Sequence, residues 1–174
     1  MILLFSKSLL RHPLARSRVS DLTGLTAFQS VLDDPKHAAS TEVKPRIKKI
    51  ILCSGQVFAA LHEHRQKHDI QDAAIVRVEE LHPFPKKRVQ EVLERYPAAE
   101  DIVWAQEEPY NSGAWYYLKD KIEHILGSHA WLSGRKVRYA GRASAAAVAT
   151  GSKKLHAQEE AALVAAVFKT VVNS

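Results

Sequence analysis

The chain has 174 residues, 46% of them hydrophobic and 25% charged, a composition typical of a globular domain with one hydrophobic core. No stretch approaches the about 18 consecutive apolar residues of a membrane span, and the single cysteine, Cys53, excludes an internal disulfide. The net charge is +6, but the lysines and arginines occur in short clusters rather than in one stripe, which argues against a nucleic-acid interface.

The first 45 residues differ in pattern from the remainder. The apolar run at residues 1–5 is shorter than the about 7–15 apolar residues of a secretory signal, and it favours a β-strand instead. Residues 35–45 have a proline at each end and few bulky apolar side chains, which predicts an exposed linker. We therefore expect a separate segment at residues 1–34 and an α/β domain at residues 46–174.

From residue 46 onward, compact apolar runs alternate with amphipathic helical patterns. The predicted strands are residues 47–53, 73–78, 102–105 and 137–140. The predicted helical faces are Val57, Phe58 and Leu61; Val89, Val92, Leu93 and Tyr96; Trp115, Leu118, Ile122 and Ile125; and Val164, Val167, Phe168 and Val171. Because these strands are apolar throughout, the pattern predicts an α/β fold with an open, mostly parallel sheet and helices on both faces.

Polar residues follow each predicted strand. They are Ser54 and Gln56, then Glu79, Glu80 and His82, then Gln106, Glu107 and Glu108, and finally Arg142 and Ser144. Because parallel strands end at one edge of the sheet, these residues should meet at the edge where open α/β folds bind ligands or partners. In the stretch QEEPYNSGAWYYL, Pro109 should end the strand, and Asn111 or Ser112 should cap the next helix.

The adjacent carboxylates Glu107 and Glu108 have two interpretations. Paired-carboxylate catalysis needs both groups to face one substrate, whereas neighbours on a strand point to opposite sides. We therefore favour a structural role, in which one carboxylate accepts backbone hydrogen bonds and the other meets Arg142 or a cation of a partner.

Other catalytic or metal-binding patterns are weak, so we predict no catalytic residue and no metal site in this chain. His62, Glu63 and His64 do not share one face of a helix, and the pair His64 and His68 has no evident third ligand. Ser54-Gly55 lacks the further glycines or the Gly-Lys of a phosphate loop, and no nucleophile elbow occurs.

Five segments, in order, give the chain a family resemblance. They are KSLLRHPLA, CSGQV, AIVRVEELHPFP, VWAQEEPYNSGAWYY and YAGRASAAAVATGSKKLH. Together they resemble the C-terminal end of the thiamine-dependent, decarboxylating component of the 2-oxoglutarate dehydrogenase complex. The QEEP-N-x-GAW form is more similar to bacterial members than to animal ones.

This resemblance implies a division of labour. Thiamine diphosphate and its magnesium ion would be held by the preceding domains of the parent enzyme, and this chain would hold neither. The domain would resemble that of transketolases, and residues 1–34 would include the last strand of the preceding pyrimidine-binding domain. Implied partners are the remaining domains, a second copy in a homodimer and the dihydrolipoyl succinyltransferase core. Structural or interface roles are expected for Glu107, Glu108, Asn111, Trp115 and Arg142.

The resemblance also implies an effector role, because some members respond to adenine nucleotides or acetyl-CoA bound near this domain. Arg11 and the turn of Ser54 and Gln56 are the positions assigned to a phosphate contact. Many relatives have SGK where this chain has SGQ. This chain therefore lacks the lysine ammonium that would attract a phosphate group at this turn. The implied location is the bacterial cytoplasm, or the mitochondrial matrix in a eukaryote.

Three alternatives to this assignment remain open at the level of sequence. One is a stand-alone binding or regulatory module with a flavodoxin-like sheet, although CSGQ lacks the acidic cluster of a receiver domain. Another is the same domain of a 2-oxoadipate dehydrogenase, whose ends are similar. The third is an autonomous hydrolase that uses Glu107 or Glu108.

Overall fold

A computed structural model describes residues 6–37, 44, 46–128, 132 and 134–169. Three short 3-10 helices, Lys7–Arg11, Pro13–Ala15 and Val19–Leu22, precede the sheet. The strands are β1 (Val31–Leu32), β2 (Lys49–Cys53), β3 (Ala73–Val78), β4 (Asp101–Pro109) and β5 (Val137–Arg142). The helices are α1 (Val57–Lys67), α2 (Lys86–Glu94), α3 (Trp115–Gly127) and α4 (Lys153–Phe168).

The five strands form one sheet in the order β1-β3-β2-β4-β5. The strands β3, β2, β4 and β5 are parallel, and the short β1 pairs antiparallel with β3. In the centre of the sheet Ile51 lies opposite Ile75 on one side and Val103 on the other. The prediction of an open, mostly parallel α/β sheet is therefore confirmed.

Both faces of the sheet are covered, as its apolar strands require. Alternate residues of β2 face opposite sides: Ile50 and Leu52 pack in the cluster under α2 and α3, whereas Ile51 and Cys53 pack under α1 and α4. The predicted helical faces lie in these clusters, with Val171 outside the described residues. Burial raises the pKa of the Cys53 thiol to about 12, so the cysteine is a neutral core side chain.

The sequence did not indicate β1, which joins the segment before the predicted linker to the sheet. Two adjacent carboxylates after β1 are held by arginines of different helices. Asp34 pairs with the fully buried Arg65 of α1, and Asp33 pairs with Arg95, directly after α2. The division of the chain at residues 34 and 45 stays a prediction, because residues 1–5, 38–43 and 45 lie outside the described residues.

The strand β4 is longer than predicted, because it continues beyond Ala105 to Pro109. Between these two residues its pairing with β5 shifts in register, and Pro109 lies opposite Arg142. Within this extension Gln106 and Pro109 are buried, whereas Glu107 and Glu108 are half-buried. The pair Glu107 and Glu108 thus belongs to the strand itself.

At the opposite edge of the sheet, charged residues bind the end of α4. Lys49 donates to the carbonyl oxygens of Val167 (2.9 Å) and Lys169 (2.8 Å), and Arg138 donates to that of Val167 (2.9 Å). Asp101 neutralises both cations, through a bidentate contact with Arg138 at 2.8 and 2.9 Å and a 3.2 Å contact with Lys49. These side chains satisfy carbonyl groups that the last turn of a helix leaves open.

Candidate functional site

The carboxyl ends of β2 and β4 flank the point where the order of strands reverses. The chain passes from β2 to β3 on one side and then to β4 on the other side of β2. Open α/β sheets bind ligands at this position. The structure places Ser54 and Gln56 there, directly after β2, and Gln106 to Glu108 in the last part of β4.

Gln106 is the centre of the polar contacts at this edge, and its side chain is buried. Its Oε1 accepts from the indole N–H of Trp104 (2.9 Å) and from the backbone N–H of Trp115 (3.0 Å). Its Nε2 donates to the carbonyl oxygens of Ser112 (2.7 Å) and Pro109 (3.2 Å). One neutral side chain therefore holds the strand end, the following turn and the start of α3 together.

This arrangement shows that the predicted cap of α3 is wrong. Neither Asn111 nor Ser112 caps the helix; instead Gln106 accepts from the N–H of its first residue, Trp115. Asn111 makes two bonds to Ala145, donating to its carbonyl oxygen (3.1 Å) and accepting from its N–H (3.0 Å). The turn between β4 and α3 brings Gln106 within reach of the helix. The group that caps α3 therefore comes from the preceding strand and not from the residues next to the helix.

Tyr139 supports the same strand end from β5. Its hydroxyl lies 3.0 Å from the carbonyl oxygen of Glu108 and 2.8 Å from that of Arg142. Burial raises the pKa of Tyr139 to about 12, so the hydroxyl keeps its proton and donates. Gly141 leaves room for this ring: a Cβ there would contact the Tyr139 hydroxyl and lie 2.7 Å from the carbonyl oxygen of Gln106.

The two carboxylates differ in their surroundings. Glu107 accepts a hydrogen bond from Gln56 Nε2 at 2.7 Å, and Glu108 lies beside Gly113. Both are half-buried. Arg142 does not pair with either of them, contrary to expectation; it pairs with Glu159 of α4 at 2.7 Å and donates to the carbonyl oxygen of Val148.

Two clefts open on opposite faces of this edge. The first, with a volume of about 430 Å³, lies towards α4 and is lined by polar groups that include Glu107, Lys153 and His156. The second, of about 480 Å³, lies towards α3 and is lined by Ser54, Trp104 and Tyr117 among others. Two of the predicted interface residues differ in their exposure to these clefts. Glu108 lines both clefts, whereas Trp115 is a buried core residue.

The predicted effector residues are partly brought together. Ser54 and Gln56 flank Gly55 in the turn after β2, and Gln56 Oε1 accepts from Ser8 Oγ at 3.1 Å. Ser8 belongs to the same 3-10 helix as Arg11, whose side chain is exposed. His12 also lies 3.2 Å from Glu63 of α1. The helix that carries Arg11 is thus positioned beside this turn.

The histidines of α1 have structural contacts. The Nδ1 atom of His62 lies 3.3 Å from Arg65 Nη2, and burial, followed by the positive charge of Arg65, lowers the pKa of His62. His64 stacks on Phe168 of α4. Within the part of the chain that the structure describes, no three His, Cys, Asp or Glu side chains are placed to hold a metal ion.

None of the helices in the described ranges is both long and apolar enough to cross a membrane. The mostly parallel sheet, with both faces covered by helices, defines an open α/β domain. The chain belongs to the 2-oxoglutarate dehydrogenase C-terminal family, whose model matches residues 16–168.

Curated relatives agree with this family. Over 169 residues the chain is 43% identical to a protein of Saccharomyces cerevisiae named "2-oxoglutarate dehydrogenase, mitochondrial", covering 97% of this chain and 17% of the relative. It is 40% identical over 169 residues to the "2-oxoglutarate dehydrogenase E1 component" of Brucella abortus, covering 94% and 17%. The chain thus spans about a sixth of these relatives, which include both mitochondrial and bacterial proteins.

A solved structure titled "Split gene transketolase, inactive beta4 tetramer" is also similar to this chain. The two share 16% sequence identity with a TM-score of 0.48, over 72% of this chain and 38% of that one.

Proposed function

We propose that this domain serves a 2-oxoglutarate dehydrogenase E1 enzyme as a non-catalytic support for the oxidative decarboxylation of 2-oxoglutarate. The observation that carries the proposal is the use of polar groups at the switch point. Gln106, Tyr139 and Asn111 bond to the backbone, and Glu107 bonds to Gln56. The polar groups that would otherwise face a substrate are thus used to hold the loops of the domain.

Contacts with the rest of the parent enzyme are supported by the segment before β1. Large apolar side chains are exposed there, at Leu10, Val19, Leu22, Leu25 and Phe28. Exposed apolar surface of this kind is typical of protein–protein contacts. We assign it to the preceding domains and the second copy of a homodimer. The proposal also includes the dihydrolipoyl succinyltransferase core as a partner, in the bacterial cytoplasm or the mitochondrial matrix.

The cofactors are assigned to the parts of the parent outside this chain. We expect the 174-residue chain to show no heat of binding with thiamine diphosphate and Mg²⁺ in isothermal titration calorimetry. The full-length parent, titrated in the same buffer, is the positive control. Micromolar binding by the chain alone would contradict this assignment of domains.

The effector role rests on the position of the 3-10 helix that carries Arg11, beside the turn of Ser54 and Gln56. Replacing Gln56 by lysine adds an ammonium group to that turn. We expect the Gln56→Lys variant of the full-length parent to bind acetyl-CoA or AMP about fivefold more tightly than the parent, as about 1 kcal/mol of added attraction requires. Equal affinity, measured by calorimetry, would remove Gln56 from the effector site.

Substitution of the two carboxylates tests whether they are catalytic. We expect Glu107→Gln and Glu108→Gln each to lower the free energy of unfolding by less than about 1 kcal/mol, because both side chains remain partly exposed to solvent. In the case of Glu107, a glutamine oxygen can still accept from Gln56. Thermal unfolding of the chain gives the stability change, with Glu123→Gln on α3 as the control.

The same two variants in the full-length parent distinguish a structural role of the carboxylates from a catalytic one. We expect turnover per intact dimer to stay almost unchanged. A dimer of normal stability whose turnover falls by about a thousandfold, a loss of the size expected for a catalytic group, would show that the pair acts on the substrate.

A further inference from the structure

A third cleft lies away from the switch point, between the loop before α2 and the outer face of α3. Its volume is about 510 Å³. We call it the α2–α3 cleft and define it by His82, Phe84, Lys86, Tyr117, Lys121 and His124. It shares only His82 and Tyr117 with the cleft at the switch point, so most of its lining has no part in the contacts described above.

The aromatic wall of the α2–α3 cleft is ordered by contacts among its own side chains. The Nδ1 atom of His82 lies 2.8 Å from the Tyr117 hydroxyl. The Lys121 ammonium lies over the face of the Tyr117 ring, 4.2 Å from its centre. This cation–π contact fixes a positive charge beside an exposed ring face. Phe84 packs partly into the core and gives the cleft a second ring.

The cleft carries more basic groups than acidic ones. Two lysines and two histidines line it together with one carboxylate, that of Asp120. Among the described residues, none of these four basic side chains has a carboxylate within 4.0 Å. By contrast, Arg65 pairs with Asp34 and Arg138 pairs with Asp101. Because two lysines outnumber the one carboxylate, the α2–α3 cleft combines an apolar ring surface with a net positive charge.

We propose that the α2–α3 cleft binds a small organic anion that carries an aromatic ring, either a phosphate or a carboxylate. The ring lies against Phe84 and Tyr117, and the anionic group lies between Lys86 and Lys121. The volume is within the range of small-molecule sites, about 300–1,000 Å³, in which apolar walls supply most of the contact and a few polar groups fix orientation. Lysine ammonium groups bind phosphate or carboxylate as point charges.

Titration of the 174-residue chain with phenyl phosphate tests this site. The side-chain resonances of His82 and Tyr117, followed by NMR, are expected to shift and to saturate at millimolar ligand. Inorganic phosphate keeps the anion without the ring, and phenol keeps the ring without the anion. Each of these two probes is expected to bind at least about tenfold more weakly, because each lacks one of the two interactions.

Two substitutions separate a built site from general attraction to a positive chain. Lys86→Gln and Lys121→Gln are each expected to weaken phenyl phosphate binding about fivefold, as the loss of one partly screened charge pair requires. Lys119→Gln, on the same helix but outside the cleft lining, is the matched control and should leave the affinity unchanged.

Three results would overturn the proposal. The first is the absence of saturable shifts at His82 and Tyr117. The second is equal affinity for phenyl phosphate and inorganic phosphate. The third is an effect of Lys119→Gln as large as that of Lys121→Gln. Circular dichroism of each variant establishes that it is folded before it is titrated, so that a loss of binding reports on the cleft.

Discussion

Replacement of Asp34 by asparagine is expected to lower the free energy of unfolding by about 3–5 kcal/mol, the cost of leaving one member of a buried ion pair without its partner. Asp34 and Arg65 are both fully buried and form an ion pair. The same carboxylate accepts from the backbone N–H of Ile75 at 2.6 Å and of Lys36 at 2.9 Å. Asparagine keeps the shape and an acceptor oxygen, but it leaves the guanidinium of Arg65 with no neutralising charge.

Chemical denaturation of the 174-residue chain measures this effect. Glu91→Gln is the matched control, because Glu91 pairs with Arg88 on the exposed face of α2, and exposed pairs contribute less than about 1 kcal/mol. In the double variant Asp34→Asn with Arg65→Met, the uncompensated charge is removed and part of the stability should return. If Asp34→Asn costs no more than Glu91→Gln, the buried pair does not stabilise the attachment of β1 to the sheet.

Replacement of Gln106 by leucine is expected to cost about 3 kcal/mol, since each buried polar group left unpaired costs about 1–3 kcal/mol. The substitution removes the acceptor of the Trp104 indole and of the Trp115 N–H, and also the donor to Ser112. Leucine fills a similar volume, so the loss reports mainly on hydrogen bonds. The measurement is the urea midpoint of unfolding together with its slope.

Gln90→Leu is the control for this substitution. Gln90 is half-buried on α2, and its side-chain amide donates a hydrogen bond to the Glu94 carboxylate, one turn further along the helix. Its loss should cost less than about 1 kcal/mol, the usual contribution of such a pair. If Gln106→Leu and Gln90→Leu unfold at the same urea concentration, the turn between β4 and α3 does not depend on the Gln106 amide.

The sheet and its helices could be predicted because their signals are local. The run at residues 73–78 is apolar except for Arg77, and Val89, Val92 and Leu93 repeat at helical spacing, so each element could be identified without its neighbours. The far end of β4 was predicted in part: Pro109 was expected to end the strand, but residues 106–109 were not predicted to belong to it. Its extension to Pro109 depends on pairing with Arg142 of β5, which is distant in sequence.

The side-chain contacts at the candidate site were harder to predict than the elements. Polar residues were correctly expected at the edge after β2 and β4, but shared location does not determine pairing. Arg142 pairs with Glu159 and not with Glu107, because α4 places the Glu159 carboxylate 2.7 Å from the Arg142 guanidinium. A partial signal for Gln106 existed: Trp104 and Gln106, two apart on a strand, share a face, and a buried indole N–H needs an acceptor.

The contacts at the end of α4 limit how far the chain can be shortened. The sheet is complete at Arg142, so its strands alone require no residue beyond that point. A boundary before Ala166 would, however, remove the carbonyl acceptors of Lys49 and Arg138 at Ala166, Val167 and Lys169, which leaves the two cations with their contacts to Asp101. A protein engineer who trims this domain should therefore keep every residue through Lys169.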